Sequence, residues 1–386
     1  MIIMNNCFNK KVNRKNTSTY KWDLQPNKEG LPFWIADSDY QTAPCVMKEL
    51  TNLAEYGVYG YNKVPFRFNE AITNWYKRRY NCDIKPEWII PSTGVILEMR
   101  ILLDALTKEG EGIILQTPVY HTFHQLINGT NRKIIENKLL KCGDTYKMDY
   151  DNLEKLFIEG HKYMILCSPH NPIGRVWTKE EINKVFELAK KYDVFVIVDE
   201  IHSDLNMGIN KFVSAGELID YYSNMVICNA PSKTFNLAGL CASYIIIPDE
   251  KIRELFNKQV DREFLNSPTV FGYSATIKAY EEGDEWVDAQ NEHIKNNYEY
   301  LKKYLNENLP QLVVTKLEGT YLVWLDMSFT GLNTEQLLQK CNDNGICCSG
   351  GVNFCKDYES YLRFNIACPY VQVVEGLNRL VKAFKE

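Results

Sequence analysis

One lysine in this sequence sits where its chemistry can change. Lys233 lies in the Ser/Thr/Asn-rich stretch Asn229-Ala230-Pro231-Ser232-Lys233-Thr234-Phe235-Asn236-Leu237-Ala238-Gly239-Leu240. An apolar run from Met225 to Cys228 precedes it and another from Ala242 to Ile247 follows, so the pattern predicts a turn between two buried strands. Lysine is seldom buried without a partner, and a solvated loop lysine is the ordinary alternative. Here Pro231 and Gly239 shape the backbone, and Phe235 and Leu237 would pack it inward. A lysine on such an apolar anchor loses its proton more readily than one in water. The neutral amine can then form a Schiff base with a carbonyl.

Other reactive groups fall at strand ends. The near-continuous apolar run from Asp193 to Val198 ends in Asp199-Glu200-Ile201-His202. A carboxylate there is costly to bury without a cation, although a lone aspartate commonly ends in a salt bridge or a helix cap. The strand Tyr163 to Cys167 leads into Ser168-Pro169-His170-Asn171-Pro172-Ile173-Gly174, a strong turn signal whatever its function. The strand from Glu111 to Gln116 leads into Pro118-Val119-Tyr120, which puts an aromatic ring at the sheet edge where ligands bind in open α/β sheets. Ser92-Thr93-Gly94-Val95-Ile96 opens an amphipathic helix, whose free N–H groups suit either an anion or an ordinary cap. Arg363 stands among apolar residues from Tyr361 to Ala367, as a structural ion pair or as a fork for a carboxylate. His121 and His124 are three apart without a carboxylate or third histidine nearby, and read as core or rim residues.

The elements that must position these groups alternate strand and helix from about 90 to 250, which argues a mainly parallel sheet with helices on both faces. Thr178-Lys179-Glu180-Glu181 has the form of a capping box. Pro44 suits a first helical turn running to about Glu55. Residues 132–161 read as a strand, a charged loop and a short helix. Residues 284–308 read as one long helix. The tail reads as strands at 312–317 and 320–325, a helix near 333–342, a strand near 361–367 and a last helix from Val371 to Phe384.

The chain has 386 residues, with 44 Lys and Arg against 49 Asp and Glu, and no basic stripe that would suit nucleic acid. Met1 to Asn6 is too short an apolar run for a signal peptide, and no stretch reaches membrane-spanning length. Several of the twelve cysteines, Cys167, Cys228, Cys241, Cys347 and Cys348, fall in apolar strand-like runs and read as buried thiols in a reducing cytoplasm. The group Cys341, Cys347, Cys348 and Cys355 lacks the paired spacing of a zinc site.

The Ser232 to Leu240 run resembles the cofactor-lysine segment of fold-type I pyridoxal phosphate enzymes. More narrowly, it resembles the cystathionine β-lyase, or C–S lyase, branch of the class I and II aminotransferases. The likeness recurs along nearly the whole chain. Ala36-Asp37-Ser38-Asp39-Tyr40 is similar to the branch's Ala-Asp-Met-Asp-Phe, with Ser38 and Tyr40 as departures. Asn171-Pro172-Ile173-Gly174 is similar to Asn-Pro-x-Gly. Eight residues after Lys233, where the aminotransferase branches carry a basic residue on the cofactor phosphate, stands Cys241.

The resemblance implies the PLP-dependent transferase fold: a large α/β domain with a mainly parallel seven-stranded sheet flanked by helices, over 46–284, and a smaller α+β domain from 1–45 and 285–386. It implies pyridoxal 5′-phosphate as cofactor. Lys233 is then the Schiff-base lysine and general base, Asp199 the partner of the pyridine nitrogen, Asn171 that of the phenolic oxygen, and Tyr120 the ring stacked on the pyridine. Gly94, Val95, Ile96 and Ser232 face the phosphate, and His202 belongs to the cofactor site. Tyr61, in Gly57-Val58-Tyr59-Gly60-Tyr61, reaches the neighbouring subunit's cofactor and substrate; packing on Trp75 or Trp88 is the alternative for this ring. Arg363 holds the substrate carboxylate, with Asp37 beside it. The implied reaction is β-elimination from cystathionine or another cysteine S-conjugate, giving a thiol, pyruvate and ammonia, in a cytoplasmic homodimer without nucleic-acid or membrane partners. An aminotransferase on the same scaffold and a cofactor-binding regulatory protein are the alternatives.

Overall fold

The computed structural model describes residues 7–265 and 268–385; the stretch Met1 to Asn6, read above for a signal peptide, lies outside them. After a single helical turn at Tyr20–Asp23 and a two-residue strand at Leu31–Pro32 come helices α1 (Pro44–Tyr56) and α2 (Phe66–Tyr80). There follow β1 (Ile89–Ser92), α3 (Val95–Leu106), β2 (Gly112–Leu115), α4 (His121–Gly129), β3 (Lys133–Glu136), α5 (Tyr150–Ile158), β4 (Tyr163–Cys167), α6 (Lys179–Tyr192), β5 (Phe195–Asp199), β6 (Met225–Asn229) and β7 (Ser243–Ile246). The seven strands form one sheet in the order β1-β7-β6-β5-β4-β2-β3, in which β7 alone runs antiparallel to its neighbours.

The alternation of side chains along the strands divides the interior in two. Met164, Leu166, Val196, Val198 and Ile227 face one core, with α2, α5 and α6 over them. Ile165, Cys167, Ile197, Val226 and Cys228 face the other, with α3 and α4 over them. Asp199 and Asn229 end adjacent parallel strands on the same sheet edge, so their loops converge there. The capping box of α6 is formed as its sequence predicts: Glu181 N–H donates to Thr178 Oγ1 at 3.3 Å, and Thr178 N–H to Glu181 Oε2 at 2.9 Å.

Helices α7 (Glu250–Arg262), α8 (Val270–Glu282) and α9 (Asp284–Asn308) follow. Along α9 the buried residues Trp286, Val287, Gln290, His293, Ile294, Asn297, Leu301 and Leu305 recur every three or four positions, so one face packs inward. A second, antiparallel sheet has the order β8-β9-β11-β10, from β8 (Val313–Val314), β9 (Leu322–Asp326), β10 (Ser349–Gly350) and β11 (Tyr361–Asn365). Helices α10 (Thr334–Asp343) and α11 (Tyr370–Phe384) complete it.

Three local expectations are corrected. The charged loop after β3 carries a short hairpin, Leu140–Cys142 against Thr145–Lys147. The tail strand expected over 312–317 pairs only at Val313 and Val314. Cys241 is exposed in a left-handed turn, φ 48°, just before β7, and is not a core thiol. No helix among the described residues is long and apolar enough to cross a membrane.

Candidate active site

Lys233 is half-buried in the turn after β6, where Phe235 and Leu237 anchor the loop in the core. Its Nζ donates to Ala36 O at 2.8 Å. Burial lowers its pKa to about 8; Arg363 lowers it further, while Asp37 and Asp199 act in the opposite sense. The structure thus gives this lysine the depressed basicity that its sequence context suggests.

A cavity of about 210 Å³ opens beside it, lined by Tyr120, Asn171, Asp199, His202 and Ser232, with Gly94, Val95 and Ile96 at one end. Asp199 is fully buried at the end of β5, and its Oδ1 accepts Ile201 N–H at 3.0 Å. Burial raises its pKa to about 6, against the pull of Ile201 and Lys233. It is therefore an acid poised for a cation. His202 is buried, its Nδ1 has no partner, and burial holds the ring neutral.

At the other end, Gly94 caps α3 with extended backbone and offers no side-chain cap. Glu98 N–H makes the first helical bond, to Gly94 O at 3.1 Å, so the N–H groups of Val95 and Ile96 have no acceptor within the helix. These free donors, the positive end of the helix dipole and Ser232 make an anion cup. The Asn171 turn depends on Gly174 at φ 69°, where an added Cβ would come within 2.7 Å of the Leu317 side chain.

Arg363 lies just behind Asn171. It is buried on β11, and Nη1 donates to Asn171 Oδ1 at 3.1 Å and Nη2 to Trp34 O at 2.8 Å. Its Nε is buried without a partner, and no carboxylate among the described residues pairs with it. Burial lowers its pKa to about 10. A buried, unpaired guanidinium calls for an anion from outside the chain.

One residue expected beside the substrate carboxylate is placed elsewhere. Asp37 does not line the cavity, because Arg14 and Lys21 hold its carboxylate at 2.8 and 3.4 Å. It acts on Lys233 only through its charge. Tyr61 is fully exposed on the loop between α1 and α2, away from the cavity, and so does not pack on Trp75 or Trp88.

The sequence reading missed the clamp around the segment 35–40. Lys21 is buried and donates to Asp39 Oδ2 at 2.8 Å and to Asp37 O at 3.0 Å. Asn365 Nδ2 donates to Ile35 O and Asp37 O, and Asn236 Nδ2 to Ser38 O and Tyr40 O. Tyr321 O–H joins Lys233 on Ala36 O, at 3.0 Å. The one available signal was spacing, since Asn365 follows Arg363 by two and faces the same side of its strand.

The arrangement can hold an anion at α3, a cationic ring nitrogen at Asp199, a carbonyl at Lys233 and a carboxylate at Arg363. Comparison with known proteins agrees. Residues 31–380 match the model of the family described as aminotransferase class I and II. Cystathionine beta-lyase PatB of Bacillus subtilis is 33% identical, over 97% of this chain and 99% of its own. A PLP-bound putative aminotransferase from Clostridium difficile 630 has a TM-score of 0.95 at 39% identity, covering 97% of this chain and 99% of its own. Cystalysin from Treponema denticola, which contains a pyridoxal 5′-phosphate cofactor, has a TM-score of 0.94 at 34% identity, with 98% of each chain covered. With the family model spanning both sheets and every residue of the cavity, the chain belongs to the class I and II aminotransferase family.

Proposed function

We propose that this chain is a pyridoxal-phosphate-dependent C–S β-lyase, which cleaves cystathionine or another cysteine S-conjugate to a thiol, pyruvate and ammonia. The observation that carries an amino-acid substrate is Arg363, a buried cation with no carboxylate of its own, tied to the cavity through Asn171. The lyase reading is supported by the full-length likeness to a cystathionine beta-lyase, and by Cys241 at the anion end of the cavity in place of a cation.

The residues present fit the cofactor. Val95 and Ile96 N–H and Ser232 suit a phosphate, Asp199 a protonated ring nitrogen, Asn171 a phenolic oxygen, Tyr120 and His202 the ring, and Lys233 an aldehyde. When bound, pyridoxal phosphate supplies an aldehyde for an amino group and a ring that withdraws electrons from the neighbouring carbon. The chain does the rest. Arg363 and Asn171 orient the substrate carboxylate through a fork that suits guanidinium geometry. Asp199 holds a proton at the ring nitrogen by its charge. Lys233 Nζ, near neutrality in basicity, takes the Cα proton as general base. A thiolate leaving Cβ balances the proton taken from Cα, and the 2-aminoacrylate set free takes up one water to give pyruvate and ammonia.

The same reading assigns residues 46–284 to a large domain, and 1–45 with 285–386 to a small one. It also makes the chain a homodimer. Tyr61 crosses to the partner's site from a loop on which Tyr56, Val58, Tyr59 and Phe66 are all exposed, an apolar surface that a second copy would cover.

The test is cystathionine with the cofactor-loaded protein and no keto acid. Pyruvate and free thiol should form in equal amounts. Transfer of amino groups to a keto acid, with no pyruvate from any cysteine conjugate, would move the assignment to an aminotransferase.

A further inference from the structure

The reaction above leaves one buried acid beside the cavity unused. Glu98 stands in the first turn of α3, the helix whose N-terminus forms the anion cup, and it is fully buried. Its Oε1 lies 2.5 Å from Ser243 Oγ, and its Oε2 has no hydrogen-bond partner. Ser243 lines the cavity. It also pairs in register with Ser92, two residues before Gly94, which places it beside the strand end that leads into the anion cup. One wall hydroxyl therefore separates a buried acid from the anion cup.

The surroundings decide which form of the acid they suit. Glu200 is equally buried and burial raises its pKa to about 8, as it does that of Glu98, so only the donors distinguish the two acids. Ser214 O–H, Ala215 N–H and Tyr76 O–H all point at Glu200, a donor set for a carboxylate. Glu98 has one hydroxyl at hydrogen-bonding distance, that of Ser243, and otherwise only the weak thiol donor of Cys228 beside it, which suits a neutral acid. Burial pushes its pKa up to about 8, against the pull of Ser243 and Cys228, with Asp199 adding to the rise. Cys228 comes from β6, Asp199 from β5 and the Ser243 hydroxyl from β7; among the described residues no cation acts on Glu98.

We infer that Glu98 is a positioning residue for the cofactor phosphate: as a neutral acid it donates to Ser243 Oγ and so turns the serine O–H into the anion cup. Ionised, Glu98 takes the serine proton for itself. Ser243 then shows the cavity only lone pairs, with a negative charge behind them. The two sites are linked, so a bound phosphate favours neutral Glu98, and phosphate affinity falls as pH rises through the ionisation of Glu98. The inference rests on the cofactor reading above.

The experiment uses apoprotein and pyridoxine 5′-phosphate, which has no carbonyl and forms no bond with Lys233, with calorimetric affinities measured from pH 7 to pH 9. The wild-type affinity should fall about tenfold more than that of Glu98→Gln, because a group ionising near pH 8 goes from mostly neutral to mostly charged over this range. Glu98→Gln keeps an amide donor for Ser243 and should match the wild type at pH 7, with a shallower fall to pH 9 set by Lys233 and the ligand alone. Ser243→Ala should bind more weakly with the same shallower profile. Pyridoxine without the phosphate should show no difference between wild type and Glu98→Gln. The difference between proteins is the readout, since titrations of the ligand are common to all of them. Equal pH slopes in wild type and Glu98→Gln would overturn the inference alone, as would a difference that persists without the phosphate. No binding of the phosphate ester at any pH would overturn the cofactor reading, and this inference with it.

Discussion

Asn171 and Arg363, 192 residues apart, are joined by a 3.1 Å hydrogen bond in which the guanidinium donates to the amide oxygen. Asn171 lines the cofactor cavity and Arg363 stands behind it, so a single contact fixes the carboxylate fork relative to the ring. Removing one side of a buried charge contact typically costs about 2–5 kcal/mol. Arg363→Ala should therefore lose that much in kcat/KM towards amino acids and keep the visible absorbance of its cofactor. Arg363→Lys should recover little, because an ammonium is a compact point charge without the planar fork that matches both oxygens of a carboxylate. A folded Arg363→Ala protein without cofactor would place this arginine at the phosphate instead.

Asp199→Asn should retain cofactor and lose turnover. The amide is neutral and cannot hold a proton on the ring nitrogen, and contacts of this kind contribute about 10²–10³-fold to rate. Single-turnover kinetics on the saturated variant measure the loss. Turnover like that of the wild type would refute the role.

Lys233 carries the pH dependence of cofactor capture. Only the neutral amine attacks an aldehyde, and burial holds this one near pKa 8. Capture of pyridoxal phosphate by apoprotein should accelerate about tenfold per pH unit below pH 8 and level off above it. Asp37→Asn removes a charge that favours the ammonium, so the plateau should begin at lower pH. Stopped-flow absorbance gives both profiles, and borohydride reduction with peptide mapping should place the label on Lys233.

Tyr61 is tested by mixing. Lys233→Ala and Tyr61→Ala proteins should each be nearly inactive. If the tyrosine acts across a two-fold interface, a mixed dimer has one site with both residues. Equal amounts of the two, dissociated and reassociated, should regain about a quarter of wild-type activity. No recovery would return Tyr61 to its own subunit or to no role.

Much of this was legible in the sequence because local pattern and global burial agree. The Lys233 turn is bracketed by two apolar runs that are strands, and α9 covers the residues its periodicity predicts. The hairpin at 140–147 escaped because its first strand is exposed and only three residues long, too short for its alternation to register. Lys21 escaped for the opposite reason. Nothing near it in sequence marks it as buried, and its burial depends on Asp39, 18 residues on. Asp37 looked available for substrate because its partners, Arg14 and Lys21, lie in an arm with no periodic signal. Contacts made through space by short, irregular segments leave no trace in a window of neighbours.

The carbonyl of Ala36 accepts from Lys233, 197 residues away, and from Tyr321, 285 residues away. During synthesis this early segment leaves the ribosome long before either donor exists, and it must wait undocked while the large sheet forms. Ligation of substrate waits longer still, since Arg363 follows both Lys233 and Tyr321 along the chain. Pairings so distant along the chain are slow to close. The nascent polypeptide can therefore complete its central sheet and bury Asp199 well before it can grip a substrate carboxylate, because the strand that carries Arg363 follows every strand of that sheet along the chain.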